Sequence, residues 1–112
     1  MQDLVIGQIN SSDNSTFKKL REGRMRVGAT LDLHGYTLFD GRLEFYDFIK
    51  AAQAARQRVV LVITGKGSGA LKSAVPDWIN DPDLQKLILT CCYAPQNMGG
   101  NGAILFLLKK AQ

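Results

Sequence analysis

The chain's single histidine, His34, stands two residues after an acid, Asp32, in the segment "TLDLHGYT", residues 30–37. Apolar and polar residues alternate in this segment. In a β-strand that alternation places the two polar side chains on one face and Leu31 and Leu33 on the other. A carboxylate beside an imidazole can orient the ring, and imidazoles exchange protons near neutral pH. The pair therefore predicts proton-transfer chemistry where a strand ends.

A second candidate segment is the glycine-rich stretch "TGKGSG", residues 64–69, which contains Lys66 and stands between a predicted strand and a predicted helix. Exposed backbone N–H groups, a helix N-terminus and a lysine are together suited to binding a phosphate. The stretch lacks a second glycine directly before a Lys-Ser pair, so it is not a P-loop. A glycine turn needed only for tight packing is the alternative interpretation.

Other kinds of catalytic site find little support in the sequence. Cys91 and Cys92 are adjacent inside an apolar run, which predicts buried free thiols rather than a disulfide or a metal site. With one histidine and no evident nucleophile beside it, neither a hydrolytic triad nor a zinc site is expected. A carboxylate, an imidazole and a phosphate-binding loop together favour cleavage of a phosphodiester bond.

Positive charge is concentrated in residues 18–26, here called the basic arm. The basic arm holds five basic residues and one acid, an excess equal to the net charge of +4 of the whole 112-residue chain. Such an arm favours a polyanionic partner such as nucleic acid, and an ordinary solvated surface is the alternative. Its basic residues are Lys18, Lys19, Arg21, Arg24 and Arg26.

Hydrophobic periodicity and turn residues predict how these segments are positioned. The expected order is β-α-β-α-β-β, preceded by a short helix that begins near Asn14 and stops at Gly23. The strands are expected at residues 27–33, 59–64, 86–94 and 103–108, and the two long helices at residues 38–57 and 70–80. This order predicts an α/β fold, a compact two-layer domain with a four-stranded mixed sheet.

The predicted domain organisation is an N-terminal extension at residues 1–26, with the short helix and the basic arm, followed by one domain at residues 27–112. Residues 1–13 show no sustained period and are expected to drape over the domain or to stay loose. No apolar run approaches the roughly 18 to 20 residues of a membrane span, and the N-terminus lacks a signal-peptide pattern. We therefore expect a cytoplasmic protein with no membrane partner.

The predicted topology brings the candidate residues together. Strands joined through a crossover helix run parallel, so the first three strands should finish at one end of the sheet, with the fourth returning antiparallel. Ligands of open α/β sheets bind outside the carboxyl ends of the strands. His34, Lys66 and a third glycine-rich segment, residues 95–102, should therefore share one site.

Four segments in this order resemble the Smr (small MutS-related) domain family. They are "LDLHG" (31–35), "VITGKG" (62–67), "LKSAVPDWI" (71–79) and "GGNGAILFLL" (99–108), and the upstream "STFKKLREGRMRV" is similar to the arm of stand-alone bacterial members. The resemblance implies a fold like the C-terminal domain of translation initiation factor three. It also implies endonuclease activity, described for different members as DNA nicking and as mRNA cleavage linked to stalled or collided ribosomes.

The resemblance and the residue chemistry together assign candidate roles. Asp32, His34 and Lys66 are the catalytic candidates. For an RNA substrate, His34 is the expected general base on the 2′-OH. For a DNA substrate, Asp32 is the expected ligand of a divalent cation such as Mg²⁺, and no other cofactor is assigned. The candidate phosphate- or nucleic-acid-binding residues are Thr64, Gly65, Gly67, Ser68, Gly69, Lys72, Gly99, Gly100, Gly102, Arg24 and Arg26.

The leading functional hypothesis is a nucleic-acid-binding endonuclease that acts on DNA or RNA. The alternative is a non-catalytic nucleic-acid- or ribosome-binding module that uses the same glycine-rich end of the sheet, and a small-nucleotide-binding domain is a weaker third. The expected partners are nucleic acid and the ribosome. One departure from the family pattern is Asp40-Gly41, where many members carry Glu-Ala, and the glycine is expected to weaken the start of that helix.

Overall fold

The structure is a computed structural model that describes residues 3–8, 14–66 and 69–111. Its strands are β1 (Ala29–Asp32), β2 (Val59–Ile63), β3 (Ile88–Tyr93) and β4 (Ala103–Leu108). Its helices are α1 (Asn14–Arg21), α2 (Leu38–Ala54), α3 (Ala70–Trp78) and the short α4 (Pro82–Gln85), with 3-10 turns at Gln96–Met98 and Gly100–Gly102. Among these helices none combines the length and the apolar character that crossing a membrane requires.

The four strands form one mixed sheet in the order β1-β2-β4-β3. β1 and β2 pair in parallel, and β4 pairs antiparallel with both β2 and β3. Strands β1, β2 and β3 therefore point the same way, which confirms the predicted mixed α/β architecture. We call the end at which these three strands finish the carboxyl end of the sheet, and the other the amino end.

Helices cover both faces of the sheet. On one face α2 and α3 supply Phe45, Ile49 and Trp78 to the larger core, where the Phe45 ring lies 5.7 Å from the Trp78 ring. On the other face α1 packs Phe17 and Leu20 against β3 and β4. A strand covered on both faces needs apolar residues throughout, which explains the continuous run in β2.

The boundaries of several elements differ from the prediction. Helix α2 ends at Ala54 rather than at residue 57, because Arg56 takes a left-handed backbone conformation with φ of 66°. The segment before β3 contains α4, where the sequence analysis expected neither a helix nor a strand. Asp81 caps α4 by accepting a hydrogen bond from the Asp83 N–H, and Pro82 occupies its first turn.

The two adjacent cysteines are buried free thiols, as predicted. Cys91 belongs to the core under α2 and α3, whereas Cys92 belongs to the core under α1. Burial raises the pKa of Cys91 to about 12 and that of Cys92 to about 11. Both thiols therefore stay protonated and unreactive at neutral pH.

Residues 3–8 lie along β3, so this part of the N-terminal segment drapes over the domain as expected. The Gly7 N–H donates to the Cys91 carbonyl at 2.8 Å, and the Thr90 hydroxyl donates to the Gln8 carbonyl at 2.9 Å. Leu4 is buried, and its N–H donates to the Asn80 side chain at 2.7 Å. The rest of the predicted segment 1–13 lies outside the described residues.

The basic arm crosses the face of the sheet that α1 covers. Helix α1 ends at Arg21, and Gly23 follows as the predicted glycine stop with φ of 73°. Gly23 lies against Pro95, just beyond β3. Met25 and Val27 then pack on the sheet, while Arg24 and Arg26, which alternate with them, stay exposed. At the amino end the Gly28 N–H donates to the Val59 carbonyl at 2.8 Å. The arm therefore runs from one end of the sheet to the other.

Candidate functional site

The strand register places three loops side by side at the carboxyl end. Asp32 pairs with Ile63, and Ile63 pairs with Ala103 on the neighbouring strand. His34, Thr64 and Gly102 therefore stand just beyond the last paired positions of adjacent strands. The predicted convergence of the first two loops with the third glycine-rich segment is present in the structure.

Asp32 and His34 form a hydrogen-bonded pair at the end of β1. Asp32 Oδ1 lies 2.7 Å from the His34 ring nitrogen Nδ1 and accepts a second bond from the His34 backbone N–H at 3.0 Å. An aspartate commonly binds the backbone N–H two residues onward, so the spacing in "DLH" itself favours this local geometry. The backbone bond, followed by the ring bond, lowers the pKa of Asp32, which keeps it a carboxylate.

The carboxylate fixes the orientation of an exposed imidazole. An ionised carboxylate can only accept, so a neutral His34 carries its proton on Nδ1 and leaves Nε2 as a proton acceptor. The His34 side chain is 76% exposed and that of Asp32 is 46% exposed. Leu33, between them, is fully buried in the core, as the alternation predicted. The arrangement gives a ring that is held in place and can reach a bound ligand.

A tight turn follows the histidine. The Tyr36 N–H donates to the Leu33 carbonyl at 3.0 Å, and Gly35 has φ of 83° within this turn. This conformation strongly favours glycine. Gly35 therefore lets the chain reverse directly after His34, and it places Tyr36 beside the histidine at the carboxyl end.

The loop after β2 is held by the third glycine segment. The N–H groups of Thr64 and Gly65 both donate to the Gly102 carbonyl, at 2.9 and 3.0 Å. A β-carbon at Gly102 would lie 2.8 Å from Cγ of Lys66, and one at Gly65 would lie 3.6 Å from Cβ of His34. Gly65 and Lys66, which follow β2, are therefore packed between His34 and Gly102.

A cleft of about 600 Å³ opens between these loops and the start of α3. His34, Lys66 and Gly69 line it, together with the first residues of α3. Gly69 is the N-cap of α3 and has no side chain to bind the first-turn N–H groups. Within the part of the chain that the structure describes, no side chain caps the N-terminus of α3, and a helix N-terminus beside a lysine favours an anion such as phosphate.

Other predicted binding residues lie around the cleft rather than in it. Lys72 points its Nζ over the Tyr93 ring, 5.2 Å from the ring centre, at the end of β3. Gly99 and Gly100 have φ of 118° and 56° and shape the loop between β3 and β4. Both are turn residues here, because a β-carbon at Gly99 would contact Ala103 and a β-carbon at Gly100 would contact Gln96. Gly67 and Ser68 lie outside the described residues.

The structure does not bring Arg26 to the cleft. Arg26 lines a separate groove at the amino end together with Gln57 and Arg58. Arg24 follows Gly23 in the chain and forms an ion pair with Glu22 at 2.9 Å. Both arginines were predicted as nucleic-acid contacts, and neither is among the described residues that line the cleft.

A preformed metal site does not appear within the described residues. No three His, Cys, Asp or Glu side chains gather there in a way that could hold a metal ion. Asp32, the predicted ligand, already accepts two N–H bonds through Oδ1. These residues therefore do not form a protein cage for a divalent cation.

The sequence analysis missed the apolar side of the cleft. Tyr36, Ile63, Ala70 and Leu71 line the wall beside the polar loops. Tyr36 lies in the segment 30–37, between His34 and a predicted helix. An aromatic residue in a short polar turn is a signal of a binding surface, so this residue could have been found from the sequence. Its neighbour in the wall, Leu71, comes from α3, and this proximity depends on helix packing.

The fold is a small α/β domain with a polar cleft at the carboxyl end of its sheet, and comparisons with known proteins place it in a family. The Smr domain family model matches residues 31–109. The chain belongs to the Smr domain family, as its motifs predicted.

Similar proteins include both sequences and solved structures. The "Ribosome rescue factor SmrB" of Shewanella putrefaciens is 34% identical over 86% of this chain and 53% of its own length. The crystal structure of YdaL, a stand-alone small MutS-related protein from Escherichia coli, is similar with a TM-score of 0.75 and 29% identity, over 89% of this chain and 79% of that one. The Smr domain of Thermus thermophilus MutS2 has a TM-score of 0.66 and 27% identity, over 72% and 98%.

The chain spans about half the length of the SmrB proteins that it matches. The name of these proteins gives a role at the ribosome and specifies no cleavage reaction. It therefore supports the predicted ribosome-binding alternative more directly than the predicted endonuclease.

Proposed function

We propose that this chain acts on ribosome-associated RNA through the carboxyl end of its sheet. Two lines support the proposal: the similarity to proteins named ribosome rescue factor, and the lysine and the helix N-terminus that share one cleft. A ribosomal role would place the protein in the cytoplasm. Phosphate contacts from lysine and backbone N–H groups give sequence-independent affinity for a nucleic-acid backbone.

Binding is tested with a matched pair of lysine variants. Lys66→Ala should weaken binding to ribosomes and to single-stranded RNA, because Lys66 lines the cleft. Lys109→Ala removes an equal charge just after β4, at the amino end, and should leave binding unchanged. Equal losses of affinity in the two variants would show that binding depends only on net charge, and this result would contradict a binding site in the cleft.

A second candidate function at the same site is RNA cleavage. The observation that favours it is the 2.7 Å hydrogen bond between Asp32 and the exposed His34 ring. In this hypothesis His34 Nε2 takes the proton of a 2′-OH, the 2′-oxygen attacks phosphorus, and the bond to the 5′-oxygen breaks. Lys66 and the α3 N-terminus stabilise the charge that develops on the phosphate oxygens. The products are a 2′,3′-cyclic phosphate and a 5′-hydroxyl, once water supplies the leaving oxygen with a proton.

His34→Ala separates the two functions. Loss of cleavage with retained binding supports the catalytic role, and absence of cleavage by the wild-type chain with intact binding supports the non-catalytic one. A 2′-deoxy nucleotide at the cut site should block the reaction. Cleavage of DNA that stops in excess EDTA would instead favour a divalent cation held by Asp32, which would supply an activated water.

A further inference from the structure

The apolar wall of the cleft has no role in binding a phosphate. The cleft volume of about 600 Å³ lies in the range of sites that hold a whole small molecule, roughly 300 to 1,000 Å³. Its polar groups, His34 and Lys66, belong to the loops after β1 and β2, whereas Tyr36 and Leu71 form part of the remaining lining. The cleft therefore has a polar part suited to a phosphate and an apolar part suited to a different chemical group.

The absence of a side chain at Gly41 brings this apolar wall together. A β-carbon at Gly41 would lie 3.0 Å from Leu71 Cδ2, 3.4 Å from the Trp78 ring and 3.6 Å from Tyr36 Cβ. Tyr36 and Leu71 therefore both approach the same point on α2. Gly41 is buried, so the packing of Tyr36 and Leu71 around it belongs to the interior of the domain.

Tyr36 keeps an accessible ring although its backbone is held. The residue is 41% exposed, and its N–H is fixed to Leu33 by the turn that contains His34. Tyrosine and other aromatic side chains bind single-stranded nucleic acids by stacking on unpaired bases. A ring two residues from the imidazole stands next to where the proposed phosphate binds.

We propose that Tyr36 and the adjacent Leu71 form a subsite for one unstacked base of single-stranded RNA, next to the phosphate bound by Lys66 and the N-terminus of α3. This subsite rests on the proposed function and adds to it the class of substrate, a strand whose bases are not paired. It selects single strands because a base inside a duplex is already stacked and cannot enter the cleft.

Binding of a short labelled RNA to Tyr36 variants tests the subsite. Tyr36→Ala should weaken affinity by about 5- to 150-fold, the range measured when a stacking aromatic is removed. Tyr36→Phe and Tyr36→Trp should bind like the wild type, because both retain a ring. Phe39→Ala is the matched control, since Phe39 is 74% exposed but lines a different groove, with Leu43 and Tyr46, and it should bind like the wild type.

An abasic nucleotide, placed in turn at each position of the RNA, distinguishes stacking from a structural effect. At one position the wild type should lose affinity, and Tyr36→Ala should show no further loss with that RNA. An equal Tyr36→Ala loss on intact RNA and on every abasic RNA would overturn the proposal. So would unchanged binding by Tyr36→Ala, or a loss confined to Phe39→Ala.

The failure of the subsite can be told apart from the failure of the proposed function. If the wild type binds RNA and Lys66→Ala weakens it while Tyr36→Ala does not, the base subsite is wrong and the phosphate site stands. If the folded wild-type chain binds no RNA and no ribosome, the proposed function itself is wrong. Circular dichroism melting of each variant confirms that it is folded in either case.

Discussion

The two ends of the sheet both carry cationic side chains, but only the carboxyl end has the geometry expected of a site. At the amino end, Arg26 and Arg58 line a groove of about 360 Å³, and Arg58 Nε donates to the Leu108 carbonyl at 2.9 Å. At the carboxyl end a lysine shares a cleft with the imidazole and a helix N-terminus. Strand direction contributes to the difference, because a helix that follows a parallel strand begins at the carboxyl end of the sheet. Positive charge alone therefore does not distinguish the two ends.

The largest expected contrast between the two ends is in catalysis. If the chain cleaves RNA, His34→Ala should slow the chemical step by about 10² to 10⁴-fold, the usual contribution of a general base. Arg26→Gln, at the amino end, should leave that step unchanged. Single-turnover cleavage at saturating protein measures both variants, and a comparable slowing by Arg26→Gln would contradict the assignment of the site to the carboxyl end.

The next contrast uses one glycine from each end. Gly102→Ala should destabilise the domain by about 1 to 3 kcal/mol, because the new methyl group meets Lys66 Cγ and the Gly65 backbone. Gly28→Ala meets the end of the flexible Gln57 side chain, which can move away, and should cost less than about 0.5 kcal/mol. Urea unfolding of the two variants measures the difference. An equal loss of unfolding free energy in the two variants would show that Gly65 and Lys66 can move away from the new methyl group at little cost.

The basic arm connects the two ends, and salt dependence tests whether it takes part in binding. Replacing its five basic residues by glutamine should weaken RNA binding and should flatten the dependence of affinity on salt. Each lost contact to a single strand should lower the logarithmic slope by about 0.7. An unchanged slope would leave the arm a solvated surface and confine the phosphate contacts to the cleft.

The smallest effect concerns the titration of Asp32. Its pKa is lowered by hydrogen bonds from His34, first from the backbone N–H and then from the ring. His34→Ala removes the ring bond and keeps the backbone bond, so the pKa should rise only part of the way to its ordinary value. Carbon NMR of the Asp32 carboxyl group measures this change.

The sign of the related stability effect follows from the lowered pKa. The bonds to ionised Asp32 stabilise the folded chain above the ordinary pKa of aspartate, and this contribution is lost as the pH falls through the lowered folded pKa. Wild type and His34→Ala should therefore differ at neutral pH and converge in acid. A difference that grows in acid would contradict the pairing.

The Asp40-Gly41 departure shows how tertiary packing changes the interpretation of a local pattern. From propensity alone, the glycine was expected to weaken the start of α2. In the structure α2 begins at Leu38, where the Thr37 hydroxyl accepts a hydrogen bond from the Asp40 N–H at 3.1 Å. Gly41 itself allows Leu71 and Trp78 to pack closely on the helix. Its role could not be predicted, because α3 contributes the neighbours.

Sequence reasoning alone predicted the order of the strands, of α1 and of the two long helices, the parallel direction of the first three strands and the position of Asp32 and His34 on one exposed face. These features follow from the alternation of residues, the turn glycines and the handedness of crossover connections, all of which act locally or between successive elements. The Smr family was likewise readable from four short motifs in order, and the family match confirms it.

The surroundings of Asp32 and His34 depend on the tertiary structure. The insertion of β4 between β2 and β3 places the Gly102 carbonyl against Thr64 and Gly65. The extended arm carries Arg26 to the amino end, and the packing of α3 on Gly41 builds the wall of Tyr36 and Leu71. Each of these contacts joins residues far apart in the chain, and their positions depend on strand order and side-chain volume rather than on local preference.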